Sequence, residues 1–208
     1  MKVKVCGMRD AANIAAIARL APDYMGFIFY DRSPRFAGGM DAASLDALPE
    51  GTARVGVFVD SPEWYIREMG ARYELDYVQL HGAETPVMCA GLRDDYGVIK
   101  AFGVAGADDL AATEAYEGVC DYYVFDTKTS SHGGSGVRFD HSLLTSYAGQ
   151  TPYLLSGGIA VDDAGALSAF DDPRCVGFDI NSCFETAPGI KDPAAVELFL
   201  KTIKNRAL

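Results

Sequence analysis

The stretch KVKVCGMRD, residues 2–10, sets out the unit that the whole chain repeats in architecture. Val3–Cys6 read as a short strand. Gly7 follows, and a polar turn leads to Asp10. Beyond it, Ile14, Ile17 and Ala18 fall on one face of a helix. The same stretch puts a thiol at the strand's end, directly before a glycine.

Seven further apolar, β-rich runs follow: Tyr24–Phe29, Arg54–Val59, Tyr77–Leu80, Val98–Phe102, Tyr122–Phe125, Tyr153–Leu155 and Val176–Ile180. Continuous runs of this length suit strands buried on both faces. A helical pattern follows each. Ser61-Pro62 reads as N-cap and first residue of a helix through Met69, and Asp192-Pro193 opens the last helix in the same way. In that last helix Val196, Phe199, Leu200 and Ile203 form an apolar stripe. Eight strands alternating with helices give an α/β chain forming a single (β/α)8 TIM barrel over residues 1–208. A doubly wound open sheet is the rival. The count of eight and the absence of G-x-G-x-x-G after the first strand favour the closed barrel.

With 208 residues, 49% of them hydrophobic, the chain can fill a full core. No apolar run reaches the ~18–20 residues that span a bilayer, and no signal-peptide pattern opens the chain. The expected location is cytoplasmic. A net charge of −11 argues against nucleic acid or an anionic membrane as partner. A small anionic ligand held by backbone amides remains compatible with that charge. The five cysteines form no C-x-x-C pair and the three histidines are scattered, so neither a disulfide framework nor a metal site is expected. No cofactor is expected either. The oligomeric state is open, with a monomer favoured.

Units two and six are longer than most and carry "DRSPRFAGG" and "TKTSSHGGSG" after their strands. In a barrel those loops lie at the catalytic face. Cys6 ends strand 1 there, a candidate base or nucleophile, with a buried small hydrophobe as its bland alternative. As a base it needs donors or a positive field; Arg9 is near in sequence. Asp126, in "YYVFDTK", ends strand 6, nearly opposite, and is a candidate acid or base. Capping a helix or binding a cation is its bland alternative. Lys128 reads as a solvated or loop-ordering residue rather than a Schiff-base lysine. "LLSGGIA" and "DINSCFE" put small residues just past strands 7 and 8, where barrels hold phosphate. They nominate Gly157, Gly158, Asn181 and Ser182, with Gly134 from the strand 6 loop. Arg35, in "SPRF", is a candidate for a substrate carboxylate, against a surface arginine that pins its own loop. His81, in "VQLHG", reads as a hydrogen-bonded structural histidine, with a place in the substrate pocket as the alternative.

Taken in order, "KVCGMR", "GFIFYDRSPRF", "VQLHG", "FDT…GGSGVRFD", "LLSGGI" and "DINSCFE" resemble the phosphoribosylanthranilate isomerases of tryptophan biosynthesis, across essentially the whole chain. The resemblance implies Cys6 as general base, Asp126 as general acid and Arg35 on the anthranilate carboxylate. It implies an Amadori rearrangement of a phosphosugar–anthranilate substrate, with no metal or cofactor. The chain departs from the family at Cys183, where glycine is usual, and at His141, where tryptophan is usual. Other phosphate-binding barrels compete. A synthase of indole-glycerol phosphate would want lysine and glutamate at strand ends, and a ribulose-phosphate epimerase metal-binding histidines and aspartates. A barrel that binds a phosphosugar without turnover is the rival from outside enzymes. Retention of Cys6 and Asp126 speaks against it.

Overall fold

The computed structural model of the chain describes residues 1–128 and 140–204. Its frame is eight parallel strands: β1 (Lys2–Val5), β2 (Tyr24–Ile28), β3 (Ala53–Phe58), β4 (Tyr77–Leu80), β5 (Gly97–Val104), β6 (Tyr122–Thr127), β7 (Tyr153–Leu155) and β8 (Cys175–Ile180). They pair in chain order and close on themselves, with Lys2 to Val5 of β1 in register with Gly177 to Ile180 of β8. The expected strands are all present, β4 and β7 with the bounds expected and the others shifted by a residue or two at one or both ends. Cys6 lies one residue past β1, its N–H donating to the Ile180 carbonyl at 2.9 Å.

Among the described residues five α-helices surround the barrel: α1 (Ala11–Ala18), α2 (Glu63–Tyr73), α3 (Pro86–Leu92), α4 (Ala164–Ser168) and α5 (Pro193–Lys204). Asp10 caps α1 by accepting from the Asn13 N–H at 2.8 Å. Val196, Phe199, Leu200 and Ile203 of α5 are all buried, each worth about 1.5–3 kcal/mol against exposure. Ser61 does not cap α2. Its hydroxyl turns back to the Val59 carbonyl, the helix starts after Pro62, and it runs past Met69 to Tyr73.

Three units depart from the helical expectation. Between β2 and β3, β5 and β6, and β6 and β7 the chain makes 3-10 turns, at Ala42–Ala47, Ala107–Tyr116 and His141–Ser146. The reason lies in their narrow apolar stripes. The first buries only Leu45, the last only Leu144, and the middle one Leu110 and Thr113, spaced by three. Spacing by three suits three residues per turn and gives a wider α-helix nothing to pack. A small hairpin, β9 (Glu185–Ala187) and β10 (Ile190–Lys191), follows β8 and lies outside the sequence expectation. Pro188-Gly189 forms its turn, with Gly189 at φ +83°.

Two layers of core result. Alternate strand residues pack outward against the helices. Tyr24, Val55, Ile99, Ala101, Val124 and Leu154 fill the barrel's interior. At its lower end Tyr24, Tyr77 and Tyr122 pack edge to face or tilted. Lys2 Nζ donates to the Tyr24 and Tyr122 hydroxyls at 2.8 and 3.2 Å. Cys6 and Asp126 lie at the opposite end, where the strands finish.

Candidate active site

Strand alternation decides which groups enter the interior. Val3 and Val5 belong to the outer layer, so Lys4 and Cys6 point inward, one above the other. Lys4 is fully buried and its ammonium holds both oxygens of Asp179, on β8, at 3.1 Å each. Gly26 of β2 faces the same gap. A Cβ there would come within 2.9 Å of Cys6 Sγ and 3.2 Å of Lys4 Nζ. Gly7, at φ +81°, opens a second gap: its missing Cβ would meet Arg35 Cδ at 2.7 Å, Asn181 Oδ1 at 2.8 Å and Lys191 Nζ at 3.4 Å. The glycine after the thiol lets three other segments converge beside it.

Asp126 faces inward from β6 between the outward Phe125 and the end of the strand. Its Oδ1 accepts from the Thr127 N–H at 2.8 Å, and its Oδ2 lies 3.5 Å from His81 Nε2. The side chains of His81 and Asp126 are 19% and 13% exposed, so both reach the opening. His81 Nδ1 lies 3.1 Å from Gln79 Nε2. His81 is hydrogen-bonded, as expected, and also stands at the mouth beside the candidate acid.

The field around the thiol does not come from Arg9, which is exposed and donates to the Pro34 carbonyl at 2.8 Å. Burial pushes the Cys6 thiol up from its ordinary pKa, and Asp179 adds to this; Lys4 and Lys191 pull it back down. Burial opposes charge on Lys4 too. Asp179 and the Cys6 sulfur outweigh that and hold the ammonium above its ordinary value. Burial likewise pushes the Asp179 carboxyl up, against the pull of Lys4, with Asp126 adding to the rise. Of the pair, the ammonium is the firmly charged member, because it has two acceptors while Asp179 also faces a second carboxylate.

Arg35 is 8% exposed and grips Glu185 of the hairpin, Nε to Oε1 at 2.8 Å and Nη2 to Oε2 at 2.7 Å. Glu185 also accepts from Lys191 Nζ at 2.5 Å and from the Gly189 N–H at 3.0 Å. Lys191 Nζ donates in addition to Asn181 Oδ1 at 2.8 Å, and its backbone is clasped by Asn13 of α1. Arg35 thus pins not its own loop but the hairpin after β8.

Gly157 and Gly158 follow β7 with φ of +88° and +64°, two successive left-handed residues of the kind glycine adopts without a Cβ penalty. Asn181 and Ser182 follow β8, where Ser182–Phe184 make a single 3-10 turn. Gly134 lies outside the described residues. Lys128 is well exposed and pairs with Asp109 at 2.6 Å, the loop-ordering role expected of it.

Four residues of this cluster escaped the sequence reading: Lys4, Asp179, Glu185 and Lys191. Lys4 had a visible signal, a lysine between two valines in a strand buried on both faces. Asp179, in "GFDIN", had the same one. Glu185 and Lys191 had only the Pro-Gly turn between them.

A closed barrel with a thiol, an imidazole and carboxylates gathered at one mouth is a frame suited to an enzyme working by acid–base chemistry. The family model of N-(5'phosphoribosyl)anthranilate (PRA) isomerase matches residues 3–202, and the chain belongs to that family. It is 44% identical to the N-(5'-phosphoribosyl)anthranilate isomerase of Parabacteroides distasonis, covering 100% of this chain and 96% of the relative. It is also 44% identical to that of Phocaeicola vulgatus, over 99% of both chains. Among solved structures, the phosphoribosyl anthranilate isomerase of Thermus thermophilus superposes with a TM-score of 0.86 at 26% identity, covering 99% of each chain. A further such isomerase, solved with reduced 1-(o-carboxyphenylamino)-1-deoxyribulose 5-phosphate, gives 0.83 at 28% identity, again over 99% of each.

Proposed function

We propose that the chain isomerises N-(5-phosphoribosyl)anthranilate to 1-(o-carboxyphenylamino)-1-deoxyribulose 5-phosphate in tryptophan biosynthesis. The observation that carries the reading is a convergence. Cys6, one residue past β1, and Asp126, next to the last residue of β6, face the interior at its open end, with His81 3.5 Å from Asp126 and the Lys4–Asp179 pair beneath the thiol. A small substrate over that opening meets both.

Asp126 gives its proton to the ribose ring oxygen as the C1–O bond breaks, leaving an iminium. The Cys6 thiolate takes the C2 proton, and the electron pair moves to form an enolamine. Tautomerisation then gives the ketose. Protons are exchanged and no electrons leave the substrate, so the step balances without a redox partner.

Glu185 takes the Nε–Nη2 edge of Arg35, leaving the Nη1–Nη2 edge for the anthranilate carboxylate. The phosphate is assigned to the amides around Gly157, Gly158, Asn181 and Ser182, with Gly134 from the strand 6 loop. All these groups belong to one chain, so a monomer suffices for the chemistry. The cytoplasm is the proposed location, since a phosphorylated substrate that cannot cross a membrane is used where it is made. Among the described residues no helix is long and apolar enough to cross a membrane.

The experiment is turnover of phosphoribosylanthranilate followed by fluorescence. Conversion to the ketose is expected. A purified, folded chain that binds the compound and never converts it would leave only the non-catalytic reading.

A further inference from the structure

The proposed base must work as a thiolate, yet Cys6 is 4% exposed, where an uncompensated thiolate is costly. Charged groups face it from four segments: Lys4 on β1, Asp179 on β8, Lys191 on β10, and Arg35 in the loop after β2. Lys191 and Arg35 share the single carboxylate of Glu185, at 2.5 Å and in a two-bond fork, and border the gap over Gly7 rather than the one over Gly26. Lys4 stands on the same strand and the same face, two residues below the thiol. Two of its contacts go to the oxygens of Asp179 at 3.1 Å, and its ammonium borders the same gap as the Cys6 sulfur, where a Cβ on Gly26 would come within 3.2 Å of the one and 2.9 Å of the other. The gap left by Gly26 is what brings sulfur and ammonium over one spot.

We propose that Lys4 is a positioning residue for Cys6: kept charged by Asp179, its ammonium donates to the sulfur and stabilises the thiolate inside the barrel. The inference rests on the reading of Cys6 as the base. Asp179 then acts in two opposed ways. It holds Lys4 charged, and its own negative charge disfavours the thiolate nearby. A lysine that only filled the interior and balanced Asp179 would leave the thiol's protonation unchanged. The two roles therefore separate by the sign of an effect.

The test is a titration of thiolate absorbance near 240 nm, wild type minus Cys6→Ser, which isolates Cys6 from the other four thiols and needs no substrate. Lys4→Met removes the charge and keeps the length of the side chain. It should leave about tenfold less Cys6 thiolate at a given pH, the scale of losing an adjacent opposite charge. The acid limb of kcat/KM should move to higher pH by the same amount. Asp179→Asn should move the thiol titration the other way. If Lys4→Met fails to fold because Asp179 is left unpaired, Lys4→Met/Asp179→Asn replaces the pair by neutral groups. Compared with Asp179→Asn alone, it should hold less thiolate. A Cys6 that titrates identically with and without Lys4 overturns the proposal. Absence of wild-type turnover overturns the isomerase reading instead, and the titration still decides the coupling of Lys4 to Cys6.

Discussion

Arg35 and Glu185 meet in a parallel fork, with bonds of 2.8 and 2.7 Å between side chains 10% and 5% exposed. The partners are 150 residues apart, so the pair stitches the loop after β2 to the hairpin after β8. A free arginine waiting for a carboxylate would cost the fold little when truncated. This one is already employed. Arg35→Ala should therefore lower the melting temperature and weaken catalysis together. The substrate comparison separates the two effects. kcat/KM on phosphoribosylanthranilate should fall roughly 10²-fold further than on an analogue lacking the carboxylate, from a lost charged hydrogen bond of up to about 3 kcal/mol. Equal losses on both substrates would leave Arg35 as a hairpin pin and nothing more.

Cys6→Ser and Asp126→Asn should each lower turnover by roughly 10²–10⁴-fold, the usual scale for a positioned acid or base. Both replacements are nearly isosteric. The amide put in place of the Asp126 carboxylate would keep an oxygen for the Thr127 N–H, so the melting temperature should change little. Near-normal turnover in either variant removes that residue from the mechanism.

The frame was legible because buried parallel strands leave an unbroken apolar run, and all eight such runs became strands. The weak helices were not legible. Leu45 and Leu144 each anchor a turn alone, and a single apolar residue has no period to read. At the mouth, Cys6 and Asp126 stood out because each ends an apolar run. Their surroundings did not, because Lys4 and Asp179 are 175 residues apart and meet only when β1 closes against β8. Barrel closure creates that contact, and no local pattern encodes it.

Glu185 gives the fold a pH dependence whose sign is fixed. Burial works against its charge, but Arg35 and Lys191 outweigh burial and hold the carboxyl below its ordinary value. The folded state thus favours the ionised form more than the unfolded chain does. That stabilisation is complete above the ordinary glutamate pKa of about 4.3 and is lost as pH falls through the lower folded value. Glu185→Gln should cost about 3 kcal/mol at neutral pH, the low end for breaking a buried pair, and the gap to wild type should close on acidification. Asp172, held down by Arg174, titrates in the same direction, so the difference between the two proteins is the quantity to follow. Urea midpoints measured from pH 7 to pH 3 give it. A gap that stays constant over that range would show that Glu185 does not hold its charge through these partners.

Gly26 offers the most local probe of the site. Its φ is not positive, so alanine there meets no backbone strain, and in a strand it would ordinarily be tolerated. What the methyl group meets is the site itself: Cys6 Sγ at 2.9 Å, Cys6 Cα at 3.1 Å and Lys4 Nζ at 3.2 Å. The lysine tip can swing aside, but the Cys6 backbone is fixed by its bond to Ile180. The thiol therefore has to move. Overpacking of this kind costs about 1–3 kcal/mol of stability, which a barrel can absorb. A base displaced by a fraction of an ångström to an ångström loses up to about 10²-fold in rate. Gly26→Ala should accordingly stay folded, bind the product with near-normal affinity through its phosphate and carboxylate ends, and turn over far more slowly. The decisive comparison is kcat against the dissociation constant for product. If kcat holds while product binding collapses, the space over Gly26 belongs to ligand and not to the thiol.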